Sequence, residues 1–237
     1  MPDHQILTVE AHGNLRVRTG HGAAFGDDIM TCLVVPAEFR QVQGDYPILF
    51  RRNVERDGFM ALALFGFENG ENLYLQDGAW DASARPLAME IQPFLIGSPD
   101  SDGQKQFHID MASSRIGGSD GVRLFDEHRR PSPYLESIVD KLGALDASYG
   151  ETGAFFAALE RYRLLEPMSL EITLDDGSTN RLVGFHVIDE ERLQALDADA
   201  LGELHGAGQL LPIFMAVASL GNLSKLIARK NRKVRGG

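Results

Sequence analysis

Cysteine is almost absent from the chain, because Cys32 in the segment TCLVVP is the only one. A single thiol cannot close an intrachain disulfide or supply a cysteine-based zinc site. Its apolar neighbours predict a buried, inert thiol. The alternative is a reactive nucleophile, which requires an electropositive and partly exposed setting.

Long hydrophobic runs are also lacking. The longest, LLPIFMAVASLG at residues 210–221, is shorter than the roughly 20 apolar residues that span a bilayer, so it predicts a core helix. The opening residues MPDHQILTVEAHGN show neither the basic nor the apolar region of a signal peptide. We therefore expect a cytoplasmic protein with no transmembrane segment, although peripheral association with a surface stays open.

The sequence lacks the short motifs that identify common enzyme classes. It contains no serine-elbow motif, Walker loop, dinucleotide fingerprint or HExxH zinc motif. The glycine-rich GGSDG at 117–121 has neither the strand-to-helix setting nor the lysine of a phosphate loop. Whether the chain is an enzyme therefore stays open, and a non-enzymatic role is favoured.

The charge is acidic and unevenly distributed. The net charge is −11, which disfavours nucleic acid as the main partner because phosphate contacts need a cationic surface. The basic tail, residues 229–237 with the cations just before it, has two interpretations. It could contact an acidic partner, a membrane surface or RNA, or it could be a solvated helix end whose cations suit the helix dipole. The cations are Lys225, Arg229, Lys230, Arg232, Lys233 and Arg235.

The hydrophobic pattern changes along the chain. Residues 12–112 are rich in short apolar or alternating segments typical of strands: NLRVR, CLVVP, YPILF, FMALALFGF, FLIG and QFHIDM. Residues 131–230 instead predict a helix pair, a hairpin that turns near Asp176-Gly177, and further helices. This order predicts an α+β fold with a mixed or antiparallel sheet, in one domain over residues 1–237.

Several residues mark the expected helix ends. Pro167 is expected to stop the second helix of the pair, at 152–163. Asp189 and Asp197 have the spacing of N-caps for two later helices. The last helix is expected to run from 211 to 230.

The stretch ENLYLQDGAW, residues 71–80, predicts a hairpin. ENLYLQ alternates as a strand does, and Asp77-Gly78 is a tight-turn pair. Trp80, the only tryptophan, follows the turn and is expected to anchor the next segment.

Aromatic residues suggest a recognition surface. Tyr46, Tyr74, Trp80 and Phe94 are its candidate binding residues, and the alternative is core packing. The segments YPILF and QPFLI each place a proline beside a strand, and such prolines suit edge strands. The edge of a sheet can recruit an extended peptide, so a binding module is a credible interpretation.

One constellation suggests a metal. His108 and Asp110 form an H-x-D pattern on a predicted strand, so both side chains would share a face. With the distal His186 they would complete a two-histidine, one-carboxylate site, as in oxygenases that use Fe(II) and 2-oxoglutarate. In the simpler alternative, Asp110 accepts turn N–H groups from Ser113 or Ser114.

Six blocks, taken together and in order, resemble the bacterial SapC family of soluble proteins, which is distinct from the similarly named transporter permease. The resemblance runs from about residue 12 to 228. The blocks are LVVPAEFRQVQGDYPILF, GFENGENLYL, RLFDEHRRPSPYL, RLLEPMSLEITLDDG, GFHVIDEERLQAL and SLGNLSKL.

The resemblance implies a bacterial protein with no established enzymatic activity. We predict no cofactor, and the alternative is Fe(II) with 2-oxoglutarate. The family is associated with surface-layer loci, and its members are often encoded near outer-membrane receptors and tryptophan-halogenase-like flavoproteins. These associations imply an accessory or binding role. We expect the bound partner to be a protein, a peptide or a small ligand, and whether the chain forms a homodimer stays open. The chain departs from the family at Glu90-Ile91-Gln92, where Arg-Arg-Tyr is expected, and at His108, where members tend to be apolar.

Overall fold

The computed structural model describes residues 2–53, 58–76, 78–97 and 105–236. Most strands of the described residues lie in the N-terminal half, and the C-terminal half is mainly helical apart from the short strand at Val122–Arg123 and one long hairpin. The α+β class predicted from the sequence is confirmed.

The strands of the described residues are mostly short, and the two longest form the late hairpin. They are β1 (His4–Ile6), β2 (Arg16–Val17), β3 (Thr31–Val34), β4 (Ile48–Asn53), β5 (Gly58–Leu64), β6 (Leu75–Gln76), β7 (Ala79–Trp80), β8 (Phe94–Ile96), β9 (Phe107–Asp110), β10 (Val122–Arg123), β11 (Leu165–Thr173) and β12 (Thr179–Ile188).

The helices are short in the first half and longer in the second. They are α1 (Val9–His12), α2 (Phe39–Val42), α3 (Leu87–Glu90), α4 (Pro133–Arg161), α5 (Glu190–Gln194), α6 (Ala198–Gly206), α7 (Leu210–Ser219) and α8 (Asn222–Gly236). Single 3₁₀ turns lie at Ala23–Phe25 and Pro36–Glu38.

The chain divides into two compact units. Unit 1 consists of Met1–Asp27, Leu75–Trp80 and Leu87–Ala147. Unit 2 consists of Asp28–Tyr74, Asp81–Pro86 and Ser148–Gly237. The single domain expected from the sequence stays a prediction.

Unit 1 contains small antiparallel sheets. A three-stranded sheet has the order β1-β9-β8, and β10 pairs with β2. A buried ion pair, 2.5 Å between the Arg115 guanidinium and the Asp27 carboxylate, joins two loops of this unit. β8 is an edge strand that begins directly after Pro93, as the QPFLI segment predicts.

The hairpin predicted for ENLYLQDGAW is present but short. β6 pairs with β7, and Gly78 has a φ of +77°, a conformation that favours glycine. Asp77 lies outside the described residues. The strand begins only at Leu75 because the Asn72 side chain accepts the Tyr74 N–H at 3.0 Å, which bends the preceding segment.

Unit 2 is built on a five-stranded antiparallel sheet with the order β11-β12-β4-β5-β3. The YPILF strand, β4, lies inside this sheet, so the prediction that it is an edge strand is wrong. Pro47 precedes β4, so the backbone N–H that proline lacks is not missing from the hydrogen bonds of the strand itself. Pro167 does lie on an edge strand, β11.

The predicted helix pair is wrong, because α4 is continuous from Pro133 to Arg161. Each interior glycine weakens a helix by only about 1 kcal/mol relative to alanine, and the flanking apolar face outweighs that cost. The helix also ends before Pro167. Arg163 has a φ of +53°, and the Leu164 N–H reaches back to the Leu159 carbonyl oxygen at 2.8 Å. The interior glycines are Gly143, Gly150 and Gly153.

The later helix starts are confirmed. The Asp189 carboxylate accepts the Arg192 N–H, and the Asp197 carboxylate accepts the Ala200 N–H, both at 2.8 Å. The hairpin turn at Asp176-Gly177 is also confirmed, with Gly177 at a φ of +84°.

The expected last helix, 211–230, is two helices, since α7 and α8 are separated at Leu220-Gly221. α7 is buried along one face only, by Ile213, Ala216 and Ser219. The side-chain oxygen of Ser219 accepts the Ile48 N–H at 2.9 Å, which attaches this face to β4. The core helix predicted here therefore has an exposed side.

Leu210–Gly236 is long and apolar enough to cross a membrane when only length and composition are considered. Core helices of water-soluble proteins meet the same criterion, so the finding is weak support for a span. The absence of a transmembrane segment stays a prediction.

The basic tail is helical as far as Gly236, and most of its cations have acidic partners. Lys230 is buried and bridges Glu71 at 2.8 Å and Glu68 at 3.0 Å. Nearby on α8, Lys233 also reaches Glu71 at 3.2 Å. Ion pairs join Arg229 to Asp81 and Arg235 to Asp175. Most of the tail cations therefore neutralise acidic residues of unit 2.

The thiol of Cys32 is buried on β3. Burial, with a smaller contribution from the nearby Glu38 carboxylate, raises its pKa above the ordinary value. The thiolate is thus disfavoured at neutral pH.

Removing Lys230 should destabilise the fold. Lys230→Ala leaves the buried Glu71 carboxylate poorly compensated, so we expect a loss of unfolding free energy toward the lower end of about 3–5 kcal/mol, because Lys233 still reaches Glu71. Burial lowers the pKa of Lys230, but its hydrogen bonds to Glu71 and Glu68 outweigh burial and raise it. The stabilisation from charged Lys230 is therefore fully present at a pH below the pKa that this lysine has in the unfolded chain. It disappears as the pH rises through the higher pKa that the lysine has in the folded protein.

Urea unfolding measures this loss, and Arg232→Ala is the matched control. Arg232 is exposed on the same helix and has no ion pair within the described part of the chain. Equal, small effects of the two substitutions would contradict a stabilising role for the Lys230 pair.

Cys32 should resist modification in the folded protein. We expect the reagent DTNB to react at least about 100-fold more slowly with native protein than with protein in 6 M guanidinium, because the thiol must first be exposed. Rapid labelling of the native chain, measured at 412 nm, would show instead that β3 opens readily.

Candidate binding site

An apolar groove of about 650 Å³ lies in unit 2 beside the edge strand β3. Its walls come from β3, from the start of β5, and from the C-terminal half of α4, and we call it the edge groove. Its described lining residues are Leu33, Val34, Val35, Asn53, Gly58, Phe59, Met60, Ala61, Tyr149, Thr152, Gly153, Phe156, Ala157 and Glu160.

β3 is the edge strand of the five-stranded sheet. It pairs with β5 through Thr31↔Leu64 to Val34↔Ala61, and no strand of the described residues lies beyond it. In an antiparallel ladder, alternate residues direct their N–H and C=O groups away from the partner strand. β3 can therefore accept a further strand.

The end of β3 is held firmly. The Val35 N–H donates to the buried carboxylate of Glu38 at 3.1 Å, which turns the chain into the 3₁₀ segment Pro36–Glu38. This contact fixes the side of the edge groove that β3 forms.

Aromatic packing sets the position of α4 over the sheet. Phe155 and Phe156 meet Phe39 and Phe50 edge-on, with ring centroids 5.9 and 6.2 Å apart. These contacts bury the two α4 rings and turn Gly153 toward the edge groove. A Cβ at Gly153 would meet nothing within 4 Å, so the missing side chain keeps the groove open.

The chemistry of the lining suits an apolar ligand with a few polar contacts. Phe59, Met60 and Phe156 supply aromatic and thioether surface, and methionine adapts its shape to different partners. Glu160 is the one ionisable carboxylate among the described lining residues. Ligand sites commonly combine such an apolar wall with few polar groups, at volumes of roughly 300–1,000 Å³.

Sequence reasoning missed this groove. Its α4 side comes from a stretch that the sequence divides between a loop and a second helix. For its β3 side, the sequence predicts a strand and nothing more. The small residues Gly153 and Ala157 of α4, which line the groove, are the sequence signal for it. They indicate a groove only once α4 is known to be one continuous helix.

The four aromatic residues predicted as a binding surface lie in different settings. In unit 2, Tyr46 and Tyr74 are buried and donate their hydroxyl hydrogens to the Ala84 and Asp45 carbonyl oxygens. Burial raises the pKa of the Tyr74 hydroxyl. Both tyrosine rings therefore pack in the core, which is the alternative to a binding surface.

The other two aromatic residues belong to unit 1. Phe94 is buried next to Tyr134, with ring centroids 6.3 Å apart. Trp80 is half-buried and meets His21 edge-on at 6.0 Å. A binding role for the four predicted residues stays a prediction, and three of them would have to act from the core.

The residues of the predicted iron site are separated between the units. His108 and Asp110 lie on β9 of unit 1, and His186 lies on β12 of unit 2. Asp110 accepts the N–H groups of Asp3 and Ala112 through one carboxylate oxygen, rather than those of Ser113 or Ser114.

His186 is better explained by its packing. Its ring meets Phe59 edge-on at 5.0 Å, and burial, with the nearby charge of Arg52, lowers its pKa. Across the described ranges, no three His, Cys, Asp or Glu side chains converge as metal ligands would. The iron alternative therefore has no assembled ligand set there.

Comparison with known proteins supplies the family. No curated protein matches the chain, and no solved structure matches it. The SapC family model, in contrast, matches residues 7–226, which is nearly the full length. The match covers both units and agrees with the resemblance of the six ordered blocks, so this chain belongs to the SapC family.

Proposed function

We propose that this member of the SapC family is a non-enzymatic accessory protein that binds an extended peptide segment of a partner protein at the edge groove. The observation that carries the proposal is an edge strand, β3, whose residues line an apolar groove of about 650 Å³.

The strand edge supplies affinity that does not depend on the peptide sequence. A peptide added to β3 would form main-chain hydrogen bonds with the backbone groups that face away from β5. Because the side chains of an added strand alternate between faces, every second residue would point into the groove.

The groove supplies selectivity. Phe59, Met60 and Phe156 favour apolar side chains, and Glu160 favours a cationic residue near one end. The expected ligand is therefore an extended segment with apolar residues at alternate positions and a lysine or arginine among them.

The family resemblance indicates which partners to test. Surface-layer proteins, outer-membrane receptors and halogenase-like flavoproteins are the candidates, because genes of the family are associated with such loci. We place the interaction in the cytoplasm, with peripheral association at the cell surface as the alternative.

Peptide selection tests the proposal. Random ten-residue peptides displayed on phage are selected on the full chain, and the enriched peptides are measured by fluorescence anisotropy. Gly153→Leu places a side chain in the groove, so we expect at least a tenfold loss of affinity. N-methylation of alternate peptide nitrogens should weaken binding similarly, because it removes strand hydrogen bonds.

Gly143→Leu is the matched control. Gly143 lies on the same helix, and a Cβ there would also meet open space, but it does not line the edge groove. Both substitutions favour the helix by about 1 kcal/mol, so neither should unfold it. Failure to enrich any peptide, or equal affinities of the two variants, would refute binding at the edge groove.

A further inference from the structure

A second surface lies on the other side of the C-terminal half of α4. α7 buries Ile213, Ala216 and Ser219 toward the sheet, but its opposite face presents Leu211 and Phe214. Half of each of these two large apolar side chains is exposed, at 51% and 50%. Contiguous exposed apolar surface of this kind marks interaction sites.

The exposed face of α7 borders another groove, of about 680 Å³, which we call the helix groove. Its walls are α7, the turn at 207–209, residues 150–155 of α4 and the turn at 36–40. Phe155, Leu211, Pro212 and Met215 form its apolar floor. The groove therefore offers a place for a large apolar side chain next to two that are exposed.

The charges of the helix groove are balanced, although the chain is strongly acidic. Its lining contains one cation, Arg40, and one anion, Glu151. Both are exposed, and neither forms an ion pair among the residues that the structure describes. A net charge of −11 opposes self-association elsewhere, so a balanced apolar patch is where two copies could meet.

Two-fold symmetry gives these charges a partner. In a symmetric dimer, if residue i of one protomer contacts residue j of its partner, then residue j of the first protomer also contacts residue i of the partner. An unpaired cation and an unpaired anion on the same surface can thus form two identical ion pairs across the interface, one on each side of the two-fold axis. A foreign partner would need an independent match to this pair, whereas a second copy carries it already.

We propose that the helix groove is a self-association surface, occupied by a second copy of this chain. Phe214 and Leu211 of each protomer pack into the helix groove of the other, and Arg40 pairs with Glu151 of the partner subunit. This assembly does not depend on peptide binding, because the edge groove lies on the other side of α4.

The interface is modest in size. The exposed apolar surface that it offers comes mainly from two large side chains, Leu211 and Phe214, whereas a standard interface contains roughly 20–30 residues per side. We therefore expect a dimer that dissociates at micromolar concentrations.

Sedimentation velocity of the full chain at about 1–100 μM tests the assembly. The wild type should pass from monomer to dimer across this range. Phe214→Gln should raise the dissociation constant at least tenfold, and because Phe214 is half exposed, the fold should be retained by circular dichroism. A wild type that stays monomeric throughout would refute the proposal.

Charge reversal tests the pairing. Arg40→Glu and Glu151→Arg should each weaken the dimer at least tenfold, because each creates two like-charge contacts across the two-fold axis. Mixing the two variants should restore dimers, since both contacts between the two positions then join a carboxylate to a guanidinium. Native mass spectrometry identifies the mixed species.

Arg232→Glu is the control for net charge, since it makes the same change on an exposed residue outside the helix groove. If it weakens the dimer as much as Arg40→Glu, or if the mixed variants do not associate, the proposed pairing is wrong.

Discussion

The fold of unit 2 depends on a buried charge pair between its last helix and a loop after its central strands. Glu71 uses one carboxylate oxygen to bind Lys230 and the other to accept the Phe67 N–H at 3.1 Å. The same side chain thus shapes the turn that follows β5 and holds α8 against it. Because a buried carboxylate without a cation is costly, α8 cannot leave this position without a large penalty.

This arrangement changes the meaning of the basic tail. From the sequence, six cations at the end of an acidic chain indicate a surface that attracts an anionic partner. In the structure most of them contact acidic residues far away in sequence, such as Asp81 and Asp175. The tail is mainly an internal counter-charge, and the exposed apolar side of α7 becomes the more informative surface.

The sequence predicts what local chemistry controls. The N-caps Asp189 and Asp197, the turn at Asp176-Gly177 and the strand segments all depend on neighbouring residues, and all are present. The sequence does not predict strand order, so it does not show that β4 lies inside its sheet. It also overestimates glycine as a helix breaker, because packing of Phe155 and Phe156 outweighs the weakness at Gly150 and Gly153.

The candidate site was the least predictable part. The edge groove needs β3 at the end of a sheet and an unbroken α4 beside it, and both are properties of the whole fold. The aromatic residues singled out in the sequence mostly fill the core, since a tyrosine hydroxyl can be buried once a carbonyl oxygen accepts its hydrogen. Sequence composition cannot separate that outcome from an exposed binding ring.

The single tryptophan has a consequence for optical spectroscopy. Trp80 belongs to unit 1, whereas the five-stranded sheet and most of the tyrosines belong to unit 2. Indole emission therefore reports the local state of unit 1, and far-ultraviolet ellipticity records the backbone of both units. Denaturation followed by the two signals distinguishes cooperative from stepwise loss of structure, without any label attached to the chain.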